Sequence, residues 1–326
     1  MGASKTKWAA AEAKAQQSVF TRKEKSYKQR ISYLERQLSH AAASAEAQLR
    51  ARAIPLRSGK PRRRTKDDIV RVTFGDVHGC KMDAEAVSAL LGDIKILDPD
   101  EIVIGGDLTD CGGFLAQHHT LGYVAETEYT WEEDNKAANQ FLDKLQAAAP
   151  KASIDELEGN HENRVERWII TQTLRNQKDA SALCKILGPE AMLRLKERGI
   201  RFYARNETHG NCRQPGFLRK GKCFFVHEVS SARNAALAAI NLVAGNVVFF
   251  HTHRHDAVVG FRPGVGDVGA WNPGCLCQKR PMWQHTKPND WTHGYGVQLI
   301  ARSGNFLHIN VPIVDGQSLL IPLTKR

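Results

Sequence analysis

Aspartate, asparagine and histidine recur in this chain where short apolar runs end, and that recurrence constrains what the chain can fold into. Ile69–Phe74 runs into Asp76-Val77-His78, and Ile102–Ile104 into Gly106-Asp107 with Asp110 close behind. Phe224–Val226 ends at His227, and Val247–Phe250 at His251 and His253. A fifth cluster, Gly159-Asn160-His161-Glu162, follows the more mixed segment Ala152–Leu157. Short β-branched and aromatic runs read as buried strands. A polar side chain at the exit of such a strand stands at the carboxyl edge of a sheet, where open α/β folds collect their ligands. Each cluster alone is a loose motif. Five in order, each at a strand exit, point to one shared site.

The residue types specify the chemistry. Two divalent cations about 3.5–4 Å apart require hard oxygen donors, nitrogen donors and a carboxylate able to bridge them. Asp, Asn and His supply that set without cysteine. Such a pair of ions acidifies a water and neutralises charge on a phosphoryl group under in-line attack.

In this pattern the chain resembles the calcineurin-like metallophosphoesterase superfamily over roughly residues 67 to 280. The family order D-x-H, G-D-x-x-D, G-N-H-E, single His and G-H-x-H stands here as Asp76/His78, Gly106-Asp107/Asp110, Gly159-Asn160-His161-Glu162, His227 and Phe250-His251-Thr252-His253. Phe250 replaces the usual glycine, which alters strand packing and leaves the ligand positions intact. Asn272-Pro273-Gly274 resembles the turn that many members carry after the last ligand strand. The resemblance implies Asp76, His78, Asp107 and His253 on one metal. It implies Asp107, Asn160, His227 and His251 on the second, with Asp107 bridging. The expected ions are manganese, with iron, zinc or nickel as alternatives. His161 would face the scissile phosphate, and Asp110 would fix the tautomer of that imidazole. A plain turn residue is the competing reading of Asp110. Cys111 stands where the protein Ser/Thr phosphatases carry a phosphate-clamping arginine, which disfavours that branch. Arg164 is either a phosphate contact from the following helix or a solvated helix residue.

Periodicity alone gives an α/β chain with a late β section; the resemblance implies two mixed sheets packed as a sandwich and flanked by helices, here with a basic helical N-terminal extension. Residues 67–326 would form the catalytic domain and residues 1–66 an arm. Between Asn163 and Arg198, apolar residues at mostly helical spacing predict two or three helices, broken at Gly188-Pro189. The alternating tail from Tyr295 to Leu323 predicts a hairpin turning at Gly304-Asn305, expected to complete the second sheet. The seven cysteines follow no framework spacing. They read as buried reduced thiols, with a zinc site at Cys212, Cys223, Cys275 and Cys277 as the alternative.

Charge is concentrated in the arm. Residues 1–66 hold seventeen Lys/Arg against four Glu, while the remainder carries 29 basic and 31 acidic residues. Tyr27, Ile31, Leu34 and Leu38 follow a coiled-coil spacing, and Pro55 through Arg64 reads as a basic linker. The expectation is an arm that binds nucleic-acid phosphate, and the competing reading is a solvated, partly disordered helix used for self-association. No segment approaches membrane-spanning length and no secretory signal is evident, so the cytoplasm is the expected location, that of the host for a phage protein. The functional expectation is metal-dependent hydrolysis of phosphodiester bonds in nucleic acid, as a nuclease would perform. A small-nucleotide or phosphomonoester phosphatase is the first alternative, and a catalytically idle nucleic-acid-binding protein the second.

Overall fold

A computed structural model describes residues 68–112, 115, 129–174, 176–243, 245–280 and 289–320. The arm and linker of residues 1–66 lie outside these, as does the end of the tail. Two sheets are formed. The first has the order β12-β11-β10-β1-β2-β3-β4, from β1 (Ile69–Phe74), β2 (Glu101–Ile104), β3 (Ser153–Leu157), β4 (Arg201–Tyr203), β10 (His293–Ile300), β11 (Phe306–Val314) and β12 (Gln317–Ser318). The second has the order β5-β6-β7-β9-β8, from β5 (Leu218–Lys220), β6 (Cys223–Val226), β7 (Asn246–Phe249), β8 (His255–Arg262) and β9 (Gly266–Pro273). Strands β1 to β4 are parallel, as are β6, β7 and β9, so each sheet brings a set of carboxyl ends to one edge.

Helices cover the outer faces. Helix α1 (Ala84–Leu97) starts on Asp83, whose carboxylate accepts the Glu85 and Ala86 N–H groups. Helix α2 (Trp131–Ala148) starts on a reciprocal capping box between Thr130 and Glu133. Leu90 and Ile94 from α1 and Phe141, Leu142 and Leu145 from α2 pack on Val72, Phe74, Ile102 and Ile104 of the first sheet. Helix α6 (Ala235–Leu242) lays Ala236, Ala239 and Ile240 on the second sheet. The predicted insert is helical: α3 (Asn163–Gln172), α4 (Gln177–Leu187) and α5 (Pro189–Met192). Its residues Val165, Ile169, Leu187 and Met192 close over Cys111 and Trp131, so these helices cover core. Among the described residues, no helix is long and apolar enough to cross a membrane.

The tail forms the predicted hairpin but joins the other sheet. β10 pairs antiparallel with β1, from Ile69 opposite Ile300 to Thr73 opposite Gly296, which corrects the expectation that it completes the second sheet. Alternation specifies that a strand has one buried face and is silent on which free edge it joins. Here Tyr295, Val297, Val311 and Ile313 extend the core already begun by Val72 and Phe74.

Between the sheets, Val103 and Leu157 of the first meet Phe225, Val248 and Phe250 of the second. The Phe250 ring lies directly on Gly75 and Gly105. A Cβ on Gly75 would fall 2.9 Å from Phe250 Cδ1, and one on Gly105 would overlap the ring. We expect Gly105→Ala to destabilise the fold by about 1–3 kcal/mol through overpacking. Urea denaturation should show the loss, and the same substitution should cost less when made in a Phe250→Ala background. Equal stability of Gly105→Ala and the parent would disprove the close approach.

Candidate metal centre

All five clusters converge where the carboxyl ends of the two sheets meet. The loop after β1 is zipped to the loop after β2 by the N–H groups of Asp76, Val77, His78 and Gly79, which donate to the carbonyls of Gly106, Asp107, Asp107 and Leu108. The Asp76 carboxylate also accepts the His251 N–H at 3.0 Å, joining the two sheets at the site. The Asn272 side chain donates to the Phe250 carbonyl and to Thr252 Oγ1, both at 2.9 Å, and holds the loop carrying His251 and His253. Asp76, His78, Asp107, His251 and His253 all have φ between 52 and 71°. Left-handed backbone costs a non-glycine residue about 1–3 kcal/mol and persists where surroundings over-determine it. Five such residues in one cluster mark a built site.

Of four groupings of donors among the described residues, two contain only expected ligands. Asp76, His78, Asp107 and His253 offer ligand atoms within 4.8 Å of one another, and so do Asp107, His227 and His251. Asp107 belongs to both. Asn160 Oδ1 joins the second, at 2.8 Å from His227 Nε2 and 2.7 Å from His251 Nδ1. In the first, His78 Nε2 faces His253 Nε2 at 3.2 Å, and His253 Nε2 lies 3.2 Å from Asp76 Oδ1. The outer nitrogens fix the ring orientations: His227 Nδ1 donates to the Gly105 carbonyl at 2.8 Å, and His78 Nδ1 to Asp110 Oδ1 at 3.0 Å. The Nε2 of His78 is thereby left as an acceptor facing inward, and that of His227 becomes one when its proton is lost.

Asp107 Oδ2 tests whether metal fits here. It is buried with no hydrogen-bond partner, 3.3 Å from His227 Nε2, 3.8 Å from His78 Nε2 and 3.9 Å from His161 Nε2. A buried carboxylate oxygen left so, ringed by inward-facing nitrogens, suits a cation shared between two groups of donors. Burial opposes the charge on Asp107, but the His227 and His161 imidazoles hold its carboxyl well below the usual range. Burial likewise disfavours the charged form of His227, yet the Asp107 carboxylate outweighs it and pushes the imidazole up to about 9. The pocket therefore attracts positive charge, and a cation would displace a proton.

His161 and Arg164 stand beside these groupings. The Nη2 of Arg164 donates to His161 Nε2 at 2.9 Å, and His161 Nδ1 donates to the Asp110 carbonyl at 2.6 Å. Arg164 is buried, with Nη1 on the same carbonyl at 3.1 Å, and so is not a solvated helix residue. The Asp110 carboxylate serves two rings, 3.0 Å from His78 Nδ1 and 3.4 Å from His161 Nδ1, and accepts the Tyr129 hydroxyl as well. Cys277 Sγ lies 3.7 Å from His253 Nδ1. All seven cysteines are free thiols, and Cys212, Cys223, Cys275 and Cys277 are buried.

Sequence reasoning assigned no role to Glu162 or Asp134. Glu162 is fully buried and gathers the second and third clusters. Its Oε2 accepts the N–H groups of Asp107 (2.9 Å) and Gly159 (3.0 Å), and its Oε1 accepts the Thr109 N–H (2.8 Å) and hydroxyl (3.0 Å). A Cβ on Gly159 would collide with Asp107, so glycine is needed for this closeness. Asp134, in the first turn of α2, accepts the N–H groups of Cys80 and Cys111 at 2.9 Å and ties the first and second loops to that helix. Adjacency to Asn160-His161 was the available signal for Glu162. Asp134 had none.

The family model of the calcineurin-like phosphoesterases matches residues 72–302, and the chain belongs to that family. Among solved structures it is similar to the vacuolar protein sorting 29 protein of Cryptosporidium parvum (11% identity, TM-score 0.40, covering 78% of this chain and 95% of that one). It is similar also to Vps29 of Chaetomium thermophilum (12% identity, TM-score 0.32, covering 74% and 96%). No curated protein matches the sequence.

Glu162→Gln preserves size but turns one oxygen into a donor aimed at backbone N–H groups. We expect a loss of about 1–3 kcal/mol in urea denaturation, the cost of leaving buried donors unsatisfied. Stability equal to the parent would show that this carboxylate does not hold the loops.

Proposed function

We propose that this chain is a metal-dependent phosphodiesterase acting on nucleic acid. The observation that carries the reading is the buried Asp107 Oδ2, which accepts no hydrogen bond and belongs to both groups of donors. Asp76, His78, Asp107 and His253 would hold one ion, and Asp107, Asn160, His227 and His251 the other. The oxygen and nitrogen donors suit manganese, with iron, zinc or nickel as alternatives. Two such ions, when bound, supply Lewis acidity to a phosphoryl oxygen and lower the pKa of a coordinated water.

The residues around them do the rest. Asp110 fixes the His78 ring, and the Gly105 carbonyl fixes His227. His161 is the half-shielded imidazole beside Asp107; burial lowers its pKa, but the Asp107 and Asp110 carboxylates raise it above its ordinary value overall. With Nδ1 held on the Asp110 carbonyl, its Nε2 is placed to carry a proton and pass it to the leaving oxygen. Arg164 now occupies that nitrogen. Moving its guanidinium onto a phosphoryl oxygen would free Nε2 for the proton and add a charge-assisted hydrogen bond. The nucleic-acid part of the reading is supported by the seventeen basic residues of the arm.

Two substitutions separate the roles. Asp107→Asn should abolish turnover and weaken retention of both ions, whereas His161→Ala should retain them and lower the rate by about 10²–10⁴. Metal analysis beside hydrolysis of a diester panel reads both effects. Two tightly held ions with parental rates in Asp107→Asn would refute the shared carboxylate, and metal loss in His161→Ala would make that residue a ligand.

Deleting residues 1–66 should weaken nucleic-acid binding steeply while hydrolysis of a small chromogenic diester barely changes. The salt slope should shrink by roughly 0.7–0.9 for each phosphate that the arm neutralises. Filter binding across a salt series measures this. Unchanged affinity at every salt concentration would remove the arm from nucleic-acid binding and favour its self-association.

A further inference from the structure

Strand β8 borders the second sheet with eight residues, His255–Arg262. The other outer strands are short: β4 and β5 have three residues each and β12 has two. Along β8, Ala257, Val259 and Phe261 are exposed, Val259 at 70% and Phe261 at 72%. The sheet fixes where their backbone groups point. Val259 lies opposite Gly269 of β9, and the Gly269 N–H donates to Asn246 Oδ1 on the far side, in β7. The Val259–Gly269 pair is therefore of the non-hydrogen-bonded kind, and the N–H and C=O groups of Ala257, Val259 and Phe261 face the open edge. A long apolar edge of this sort is a template for another strand.

We propose that β8 is an interface through which two copies of this chain pair, antiparallel, about a two-fold axis at Val259. The argument for a second copy is the self-complementarity of His-Asp-Ala-Val-Val-Gly-Phe-Arg. Centred on Val259, the pairing places Asp256 of each copy opposite Arg262 of the other, Ala257 opposite Phe261, and Val259 opposite itself. Both charged side chains are already held beside the edge. Asp256 accepts the Ala236 N–H at 2.8 Å, and Arg262 donates to the Val243 and Asn241 carbonyls. Opposite charges directly across a ladder stabilise it, and like charges do the reverse. A shift to the next register, either way, breaks both acid–base pairs. The centred register uses every outward N–H and C=O of Ala257, Val259 and Phe261, about six main-chain hydrogen bonds. The surface is isologous, so it closes as a dimer and leaves no further long edge of this kind among the described residues to propagate.

The test uses the full chain. Light scattering across a wide concentration range should give a mass that halves in Val259→Lys, which sets two ammonium groups face to face at an exposed position. Opposed residues of a hydrogen-bonded pair have Cα atoms about 5.5 Å apart, within disulfide reach. Val259→Cys should therefore crosslink under mild oxidation where the parent and Phe261→Cys do not. Crosslinking keeps the test decisive should Val259→Lys fold poorly. An unchanged mass in folded Val259→Lys, or no crosslink in Val259→Cys, overturns the proposal. So does a monomeric parent that binds a foreign strand along β8.

Discussion

The carboxylate of Glu162 is the group on which the centre depends. It is inside the protein, and four donors from the Asp107–Thr109 loop and from Gly159 converge on it. Without it, three backbone N–H groups in a loop that cannot form regular structure would be buried without acceptors. Glu162 thus allows the exits of β2 and β3 to lie against each other closely enough for Asp107 and Asn160 to share one pocket. Asp134 does the same between the first two loops from the direction of α2. The two acids hold the backbone, and the backbone in turn holds the inward-facing donors.

Much of this was legible in the sequence because the relevant signal is local. Ile69–Phe74 is a β-branched and aromatic run broken only by Arg71 and forms a strand of those bounds, and His227 and His251 stand directly after β-branched and aromatic runs. The third strand was mixed in sequence because Asp155 sits within it. The structure shows why that is tolerated: Arg201 at 2.5 Å and Lys220 at 2.5 Å neutralise this buried carboxylate from two later strands. Those partners lie tens of residues away, and nothing near Asp155 announces them. The placement of the hairpin failed for the same reason. Alternation at Tyr295–Ile300 describes one strand, whereas the choice of β1 as neighbour is a property of the assembled core.

Charges behind the centre are disposed differently from those within it. Burial and the Asp110 charge push the Asp134 carboxyl up to about 7, and burial raises Glu156, which makes no hydrogen bond, well above the ordinary range. Asp107 and Asp110, facing the imidazoles, stay low. Negative charge is thereby concentrated on the side of the pocket where a cation would sit, while the supporting layer tends toward neutrality. This separation follows from which buried carboxylates have imidazoles beside them and which meet mainly burial and other carboxylates.

Phe250 gives the sandwich a mechanical property. Its ring rests on Gly75 and Gly105, the residues just before Asp76 and just before Gly106-Asp107, and its own backbone leads directly into His251. One aromatic ring therefore acts as a gauge block between the two halves of the molecule, since four of the converging side chains come from one sheet and three from the other. Its thickness sets how far the histidines of the second sheet stand from the aspartates of the first. In a chain where that ring takes the place of a glycine, the spacing of the centre is written into the apolar core beneath it.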